Sequence, residues 1–142
     1  MRKITMTVVL ATIAIITARA QKPNDEQAVR EVITHFAQSA DQQNEDILDD
    51  LLDANFRVVM NRLFGSSEVS VLTKDAYLGK IRNKEWGGEP RKIRIEDLTI
   101  MGNTAYAKVA FRGSQASFVS LLQFIKTKEA HWKLISDLPT LM

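Results

Sequence analysis

The sequence contains no cysteine among its 142 residues. That absence excludes a disulfide framework, a thiolate nucleophile and any zinc site with cysteine ligands. Histidine is almost as scarce, and the two residues, His35 and His131, form neither an HxH nor an HxxxH spacing. No metal site is therefore predicted. The length and the hydrophobic content of 45% are those of one ordinary globular domain.

The first 20 residues have the three parts of a secretory signal. Arg2 and Lys3 precede an apolar stretch over residues 4–16, and an Ala-x-Ala cleavage site ends at Ala20. As a helix the apolar stretch would span about 20 Å, which is less than the ~30 Å hydrocarbon core of a bilayer. We therefore predict a signal peptide over residues 1–20 and a secreted or periplasmic protein. The alternative is an uncleaved N-terminal anchor.

The excess of positive charge belongs to this leader. The chain has 19 basic and 17 acidic residues, and cleavage after Ala20 removes three basic residues and no acid, which leaves 16 against 17. The single domain predicted over residues 21–142 thus lacks the basic surface that nucleic-acid binding requires. A basic cluster remains at residues 90–94, and strand alternation places its charges on a solvated strand end. We predict no nucleic-acid partner, and no membrane contact after cleavage.

Periodic apolar positions predict the secondary structure of the remaining chain. Three helices are predicted, over residues 25–42, 45–53 and 74–84. Five strands are predicted, over residues 56–63, 91–100, 104–112, 116–126 and 132–138. Helices that precede a run of consecutive antiparallel strands predict an α+β fold in which the helices cover one face of a meander sheet.

The strand predicted over residues 116–126 is apolar in both of its alternating phases. One phase contains Phe118, Leu122 and Phe124, and the other contains Val119, Leu121 and Ile125. A strand with one solvated face should have a single apolar phase. We therefore expect helices to cover one face and a second copy of the chain to cover the other, in a homodimer formed through the sheet. Tyr106, Lys108 and Arg112 fall on the expected outer face.

Four segments carry a resemblance to a known superfamily. They are the opening helix DEQAVREVITHFAQSADQQN, the third helix LTKDAYLGKI, the strand TAYAKVAF and the closing hairpin FVSLLQFIKTKEAHWKLISD. In this order they resemble the nuclear-transport-factor-2-like superfamily, and more closely its small secreted bacterial members of the lumazine-binding and polyketide-cyclase-like (SnoaL-like) kind. The resemblance implies a cone-shaped barrel, in which a curved antiparallel sheet holds the three helices on its concave face. It also implies an acid in the penultimate strand near Ser120, where this chain has serine.

Three functions are compatible with this pattern. The favoured one is a binding module that accommodates a small apolar or aromatic molecule in the cone, without catalysis and without a cofactor. The alternative implied by the resemblance is a cofactor-free lyase or isomerase of the polyketide-cyclase or ketosteroid-isomerase kind. The third is a structural dimerisation domain whose cone is filled by its own side chains.

Strand alternation predicts that two charged residues point into the cone. Asp97 continues the phase of Ile95, and a carboxylate in an apolar cavity can act as a base. Arg62 continues the phase of Met60 and could hold an anionic ligand. In the competing interpretation both residues lie at strand ends near the rim, exposed or paired with each other, and a bulge between Ile95 and Leu98 would turn Asp97 outward.

The remaining candidates are a set of predicted cavity-lining residues and the two histidines. The predicted cavity-lining residues are Met60, Arg62, Tyr77, Trp86, Phe111 and Trp132. The aromatic residues among them could instead be ordinary core residues, which is the more common role. His35, at the border of the first helix, is a second candidate acid or base, or a boundary residue partnered by Glu31 or solvent. Parity places His131 and Asp137 opposite Trp132, so we interpret His131 as a turn residue without a catalytic role.

Overall fold

The computed structural model describes residues 24–142. The predicted signal peptide, residues 1–20, lies outside them, so export stays a prediction. The three helices are α1 Asp25–Asp41, α2 Glu45–Leu51 and α3 Lys74–Arg82. The six strands are β1 Leu52–Asn61, β2 Val69–Thr73, β3 Lys92–Met101, β4 Thr104–Arg112, β5 Ser117–Lys126 and β6 Trp132–Leu141. Within these residues, every helix is too short or too polar to cross a membrane.

Each helix begins at a side-chain cap. Asn24 Oδ1 accepts a hydrogen bond from the Gln27 backbone N–H at 2.8 Å. Asn44 and Thr73 start α2 and α3 in the same way, because a polar side chain before the first turn satisfies an otherwise unpaired N–H group. The helices therefore begin where the sequence predicts. α2 ends two residues earlier than predicted, and β1 follows it directly at Leu52.

The strands form one curved, unclosed sheet in the order β2-β1-β6-β5-β4-β3. With the three helices it makes the α+β cone that the resemblance implies, and this prediction is confirmed. The sheet is mixed rather than wholly antiparallel, because β1 pairs with β6 in parallel while every other described pair is antiparallel. β6 closes the meander and so arrives beside β1 running in the same direction.

β2 occupies a segment that the sequence predicts as loop. Val69 and Val71 are 60% and 58% exposed, because β2 is an edge strand that pairs only with β1. Leu72, in the opposite phase to Val69 and Val71, is the residue of β2 that packs against the core. The apolar residues of this edge strand therefore do not mark one buried face, and this is why the segment is not recognisable as a strand from its pattern.

Two bulges decide which acid enters the concave side of the sheet. In β3 the register shifts between Ile95 and Asp97, so that Asp97 pairs with Lys108 on the outer face of β4 and is exposed. The inward orientation predicted for Asp97 is therefore wrong, and the bulge alternative is correct. In β6 the register shifts after Leu134, and Asp137 then lies opposite the buried Leu122. Asp137 faces inward and is 6% exposed, which corrects its predicted outward parity.

The closing hairpin is fixed to the start of α1. Trp132 Nε1 and Lys126 Nζ both donate to Asp25 Oδ1, at 3.0 and 2.8 Å. Trp132 is buried, whereas His131 is exposed in the turn, where its backbone N–H donates to the Thr127 hydroxyl. These positions agree with the interpretation of Trp132 as a core residue and His131 as a turn residue.

Candidate functional site

The helices and the concave face of the sheet enclose a cavity of about 420 Å³ that is partly open to solvent. A volume of this size is within the range of small-molecule sites. Its apolar walls include the side chains of Phe36, Val58, Met60, Tyr77, Trp86 and Phe118. The ring centroid of Tyr77 lies 6.2 Å from that of Phe36 and 5.9 Å from that of Trp86, so Tyr77 connects these walls. The cavity is therefore largely aromatic on the helix side.

Asp137 contributes a buried carboxyl group to this cavity. Burial raises the pKa of Asp137 to about 6, and the neighbouring Ser120 hydroxyl and the charge of Arg91 oppose that rise. Within residues 24–142, Ser120 Oγ and Asp137 Oδ1 have no hydrogen-bond partner. Ser120 therefore acts on Asp137 as a nearby dipole, not through a formed hydrogen bond. Buried polar atoms without partners are uncommon in folded proteins, and here they border a ligand-sized space.

Arg91 supplies a positive charge to the same cavity. Its Nε donates to Asp41 Oδ1 at 2.5 Å, and its backbone N–H donates to Asp41 Oδ2 at 2.9 Å. The guanidinium carbon lies 5.2 Å from the ring centroid of Phe111 and 5.4 Å from that of Phe118. The ion pair and the two rings together fix the plane of the guanidinium group.

Tyr77 places a hydroxyl group near Asp137. Burial, and then the charge of Asp137, raise the pKa of Tyr77 well above its usual value. The hydroxyl therefore stays protonated and can donate a hydrogen bond at any physiological pH. Tyr77, Arg91 and Asp137 come from α3, the loop before β3, and β6, so three separate elements bring polar groups to one cavity.

Glu89 shapes the rim of the cavity. Its carboxylate accepts hydrogen bonds from the backbone N–H groups of Gln115 and Ala116 and from the Ser114 hydroxyl. Burial acts to raise the pKa of Glu89, but these donors outweigh it and leave the pKa below its usual value. Glu89 thus stays ionised and holds the β4–β5 turn over the cavity.

The residues predicted to line the cavity separate into two groups. Met60, Tyr77 and Trp86 line it. Phe111 and Trp132 are buried in the core instead, and Arg62 is exposed after the end of β1 with a φ of 56°. Arg62 leaves the phase of Met60 because the chain turns there, so its predicted inward orientation is wrong.

His35 does not reach the cone. It is exposed and lies along a shallow groove of about 440 Å³ on the outer side of α1. This groove is lined by Asn24 and by residues of that one helix, among them Arg30, which pairs with Glu26 at 2.9 Å. The groove is the solvated face of an amphipathic helix and brings together no groups from other elements.

Asp137 and Arg91 are two of the cavity residues that sequence reasoning missed, and they carry its opposite charges. Strand parity assigns Asp137 to the outer face, and the bulge in β6 reverses that assignment. The two consecutive apolar residues Leu134 and Ile135 interrupt the alternation, and this interruption is the sequence signal of the bulge. The basic cluster at residues 90–94 predicts a solvated strand end for Arg91, yet Arg91 shares the phase of Ile93 and Ile95, which pack against the core.

The sequence over residues 24–138 matches the protein family described as "Putative lumazine-binding". The chain belongs to this family. Its fold is also that of the nuclear-transport-factor-2-like (NTF2-like) superfamily, as the resemblance implies. No curated protein sequence matches the chain.

Several solved structures share this fold. An NTF2-like protein of unknown function from Shewanella baltica is 14% identical and has a TM-score of 0.71, over 82% of this chain and 92% of that chain. An NTF2-like protein from Cytophaga hutchinsonii is 14% identical with a TM-score of 0.68, over 84% and 100%. A "putative ketosteroid isomerase" from Shewanella frigidimarina is 20% identical with a TM-score of 0.58, over 80% and 94%. At these identities the similarity establishes the fold and not the function.

Proposed function

We propose that this family member binds a small, flat, largely apolar molecule in the cone. The observation that carries the proposal is the aromatic cavity of about 420 Å³ into which Tyr77, Arg91 and Asp137 bring polar groups. Apolar walls with a few convergent polar groups are the usual composition of small-molecule sites. A cavity of this size argues against the alternative of a structural domain with a filled cone.

The two tryptophans of the chain provide a test with an internal control. Trp86 lines the cavity, whereas the indole N–H of Trp132 is bonded to Asp25. Titration with 2-naphthol, followed by ¹H–¹⁵N NMR, should shift the Trp86 indole signal saturably and leave that of Trp132 in place. No shift up to the solubility limit, or equal shifts of both signals, would contradict the proposal.

A pair of matched variants locates the binding. Ala116 lines the cavity rim and Ala54 is an exposed residue of β1 outside it. Ala116→Phe should narrow the cavity and weaken 2-naphthol binding, and Ala54→Phe should leave it unchanged. Equal effects of both substitutions would place the binding elsewhere.

A second candidate function is cofactor-free isomerisation, supported by the pKa of about 6 for Asp137. An ionised Asp137 could remove a proton next to a substrate carbonyl, and the Tyr77 hydroxyl could donate a hydrogen bond to the enolate oxygen that forms. Return of the same proton to another carbon completes an isomerisation. This role replaces the one predicted for Asp97, which lies on the outer face.

Hydrogen exchange measures this activity without knowledge of the natural substrate. The protein should catalyse exchange of the acidic C–H protons of 2-cyclohexenone with D₂O, observed by NMR. Asp137→Asn should abolish the catalysed exchange, and Asp97→Asn should retain it. Exchange that is unaffected by Asp137→Asn would eliminate the isomerase candidate.

We also propose that the exported chain forms a homodimer through the outer face of the sheet. Leu121 and Leu138 are cross-strand partners on β5 and β6 and are 48% and 37% exposed. Tyr106 lies on the same face of β4. A second copy would remove this apolar surface from water.

A further inference from the structure

Arg91 has hydrogen-bond donors that the fold does not use. Its Nε and backbone N–H are bonded to Asp41, and the flanking rings of Phe111 and Phe118 hold the guanidinium plane. Its Nη groups make no hydrogen bond to any other residue of the range 24–142, although Arg91 lines the cavity. A guanidinium group with a fixed plane and free terminal N–H groups is complementary to the two oxygens of a carboxylate.

Two further acids line the rim of the cavity. Glu85 forms an ion pair with Lys80 at 2.9 Å. Glu89 accepts the three hydrogen bonds from the β4–β5 turn. Both acids line the cavity and have hydrogen-bond partners. The hydrogen bonds from the β4–β5 turn and the charge of Arg91 together lower the pKa of Glu89 against the effect of burial. Asp137 is the described acid in the cavity wall that has an unpartnered oxygen.

The polar and charged groups near Asp137 come from several parts of the fold, while its neighbour on β1 is the apolar Val58. Arg91 approaches from the loop before β3 with Asp41 of α1 paired to it, Tyr77 approaches from α3, and Ser120 lies beside it on β5. Among these groups only Arg91 is positive, and its charge cannot be removed by titration within the physiological range. A cation placed against the Nη groups of Arg91 would therefore meet this positive charge at every such pH, while the paired Asp41 lies on the Nε side.

An anionic ligand meets a different situation. The opposing charges in the cavity wall are those of the hydrogen-bonded Glu89 and of Asp137, and burial already brings the pKa of the Asp137 carboxyl to about 6. Uptake of one proton removes the charge and leaves a carboxylic acid that can donate a hydrogen bond. The positive charge at this site is thus permanent, whereas the negative charge of Asp137 can be titrated away.

We propose that the ligand of the proposed binding function is a flat apolar carboxylic acid, whose carboxylate is held by the Nη groups of Arg91 while Asp137 takes up one proton. The aromatic walls formed by Phe36, Tyr77 and Trp86 receive the apolar part of the molecule. This inference rests on the proposed binding function and specifies the chemical class of its ligand.

Two probes of equal shape test this inference. 2-Naphthoate is anionic above about pH 5, as expected of a carboxylic acid, and 2-naphthamide is its neutral counterpart. Calorimetry at pH 5.5 should show the naphthoate bound at least about tenfold more tightly, since a hydrogen-bonded ion pair contributes more than 1.4 kcal/mol. The preference should fall by up to about tenfold per pH unit above pH 6, because binding of the anion takes up one proton.

Substitutions at the two charged residues separate their roles. Asp137→Asn should keep the preference for naphthoate and abolish its dependence on pH, and Asp97→Asn should change neither. Arg91→Gln leaves Asp41 without its partner and so could prevent folding. Arg91→Lys keeps the charge, loses the planar pair of N–H groups, and should reduce the preference at least about threefold.

The outcomes distinguish this inference from the function on which it rests. If naphthamide binds as tightly as naphthoate at pH 5.5, the inference is overturned and the binding function stands. Tighter binding of 2-naphthylmethylamine, the cationic analogue, would also overturn it. If none of the three probes binds, both proposals fail.

Discussion

Asp41 and Arg91 form an ion pair that joins the last residue of α1 to the loop before β3. Their closest atoms lie 2.5 Å apart, and the side chains are 13% and 11% exposed. Asp41 also accepts a hydrogen bond from the backbone N–H of Arg91. The pair therefore fixes both the guanidinium group and the chain that carries it against the cavity wall.

Removal of this pair should destabilise the protein markedly. Asp41→Ala leaves a largely enclosed guanidinium group without its partner, and we expect a loss of about 3 kcal/mol in the free energy of unfolding. Urea denaturation measures this loss. Glu26→Ala is the control, because Glu26 pairs with Arg30 on the exposed face of α1 and should cost less than about 0.5 kcal/mol. Equal costs for the two variants would contradict the structural role of Asp41.

The folded protein should gain stability from Asp137 as the pH falls. Burial raises the pKa of this group from 3.8 to about 6, so between these values the folded chain retains a proton that the unfolded chain has released. The stability contribution of Asp137 is therefore greatest below about pH 4, declines as the pH rises to about 6, and stays low above it. A shift of this size corresponds to about 3 kcal/mol.

Comparison with Asp137→Asn isolates this effect. Other carboxylates act in the opposite direction, since the hydrogen bond from Arg82 lowers the pKa of Glu45 and that from Arg94 lowers the pKa of Glu96. Those contributions are common to both proteins and cancel in the difference. As the pH falls from 7 to 4, the free energy of unfolding of the wild type should rise relative to that of Asp137→Asn. A difference that is constant with pH would show that Asp137 has an ordinary pKa.

The hydrogen bond from Trp132 to Asp25 should contribute to stability, whereas the side chain of His131 should not. Trp132→Phe removes the N–H donor while keeping an aromatic ring in the core, and we expect a loss of about 2 kcal/mol. His131→Ala changes an exposed turn residue and should stay within about 0.5 kcal/mol. Thermal unfolding followed by circular dichroism tests both, and the reverse ranking would refute this assignment.

The proposed dimer should depend on Leu121. In sedimentation equilibrium, wild type should have twice the mass of the chain, and Leu121→Lys should be monomeric because the new charge would be buried at the interface. Val71→Lys, at an exposed position of the edge strand β2, should remain dimeric. A monomeric wild type at high micromolar concentration would exclude the proposed dimer.

The periodic elements of this fold could be predicted from the sequence, but the polar side of the site could not. Helical spacing and capping residues predict α1 to within one residue, and alternation predicts the bounds of β4. A parity argument counts alternate residues from one end of a strand and assumes that the strand contains no bulge. One bulge in β3 and another in β6 break that assumption, and they place Asp97 outside and Asp137 inside.

The pairing of charges across the cavity was equally beyond a single sequence. Asp41 and Arg91 are separated by 50 residues, and each taken alone has the pattern of a solvated charge. The sequence predicts Met60, Tyr77 and Trp86 in the cavity because apolar residues on inward-facing phases converge in a cone. Convergence of polar groups depends on bulges and loop geometry, which hydrophobic periodicity does not encode.

The most direct test of this account is a carboxyl ¹³C NMR titration of Asp137, assigned by comparison with Asp137→Asn. In the free protein the signal should titrate with a pKa of about 6. Saturation with 2-naphthoate should raise that pKa, because the bound anion favours the protonated carboxyl. A pKa near 3.8 that does not respond to the probe would contradict both the burial of Asp137 and its place in a ligand site.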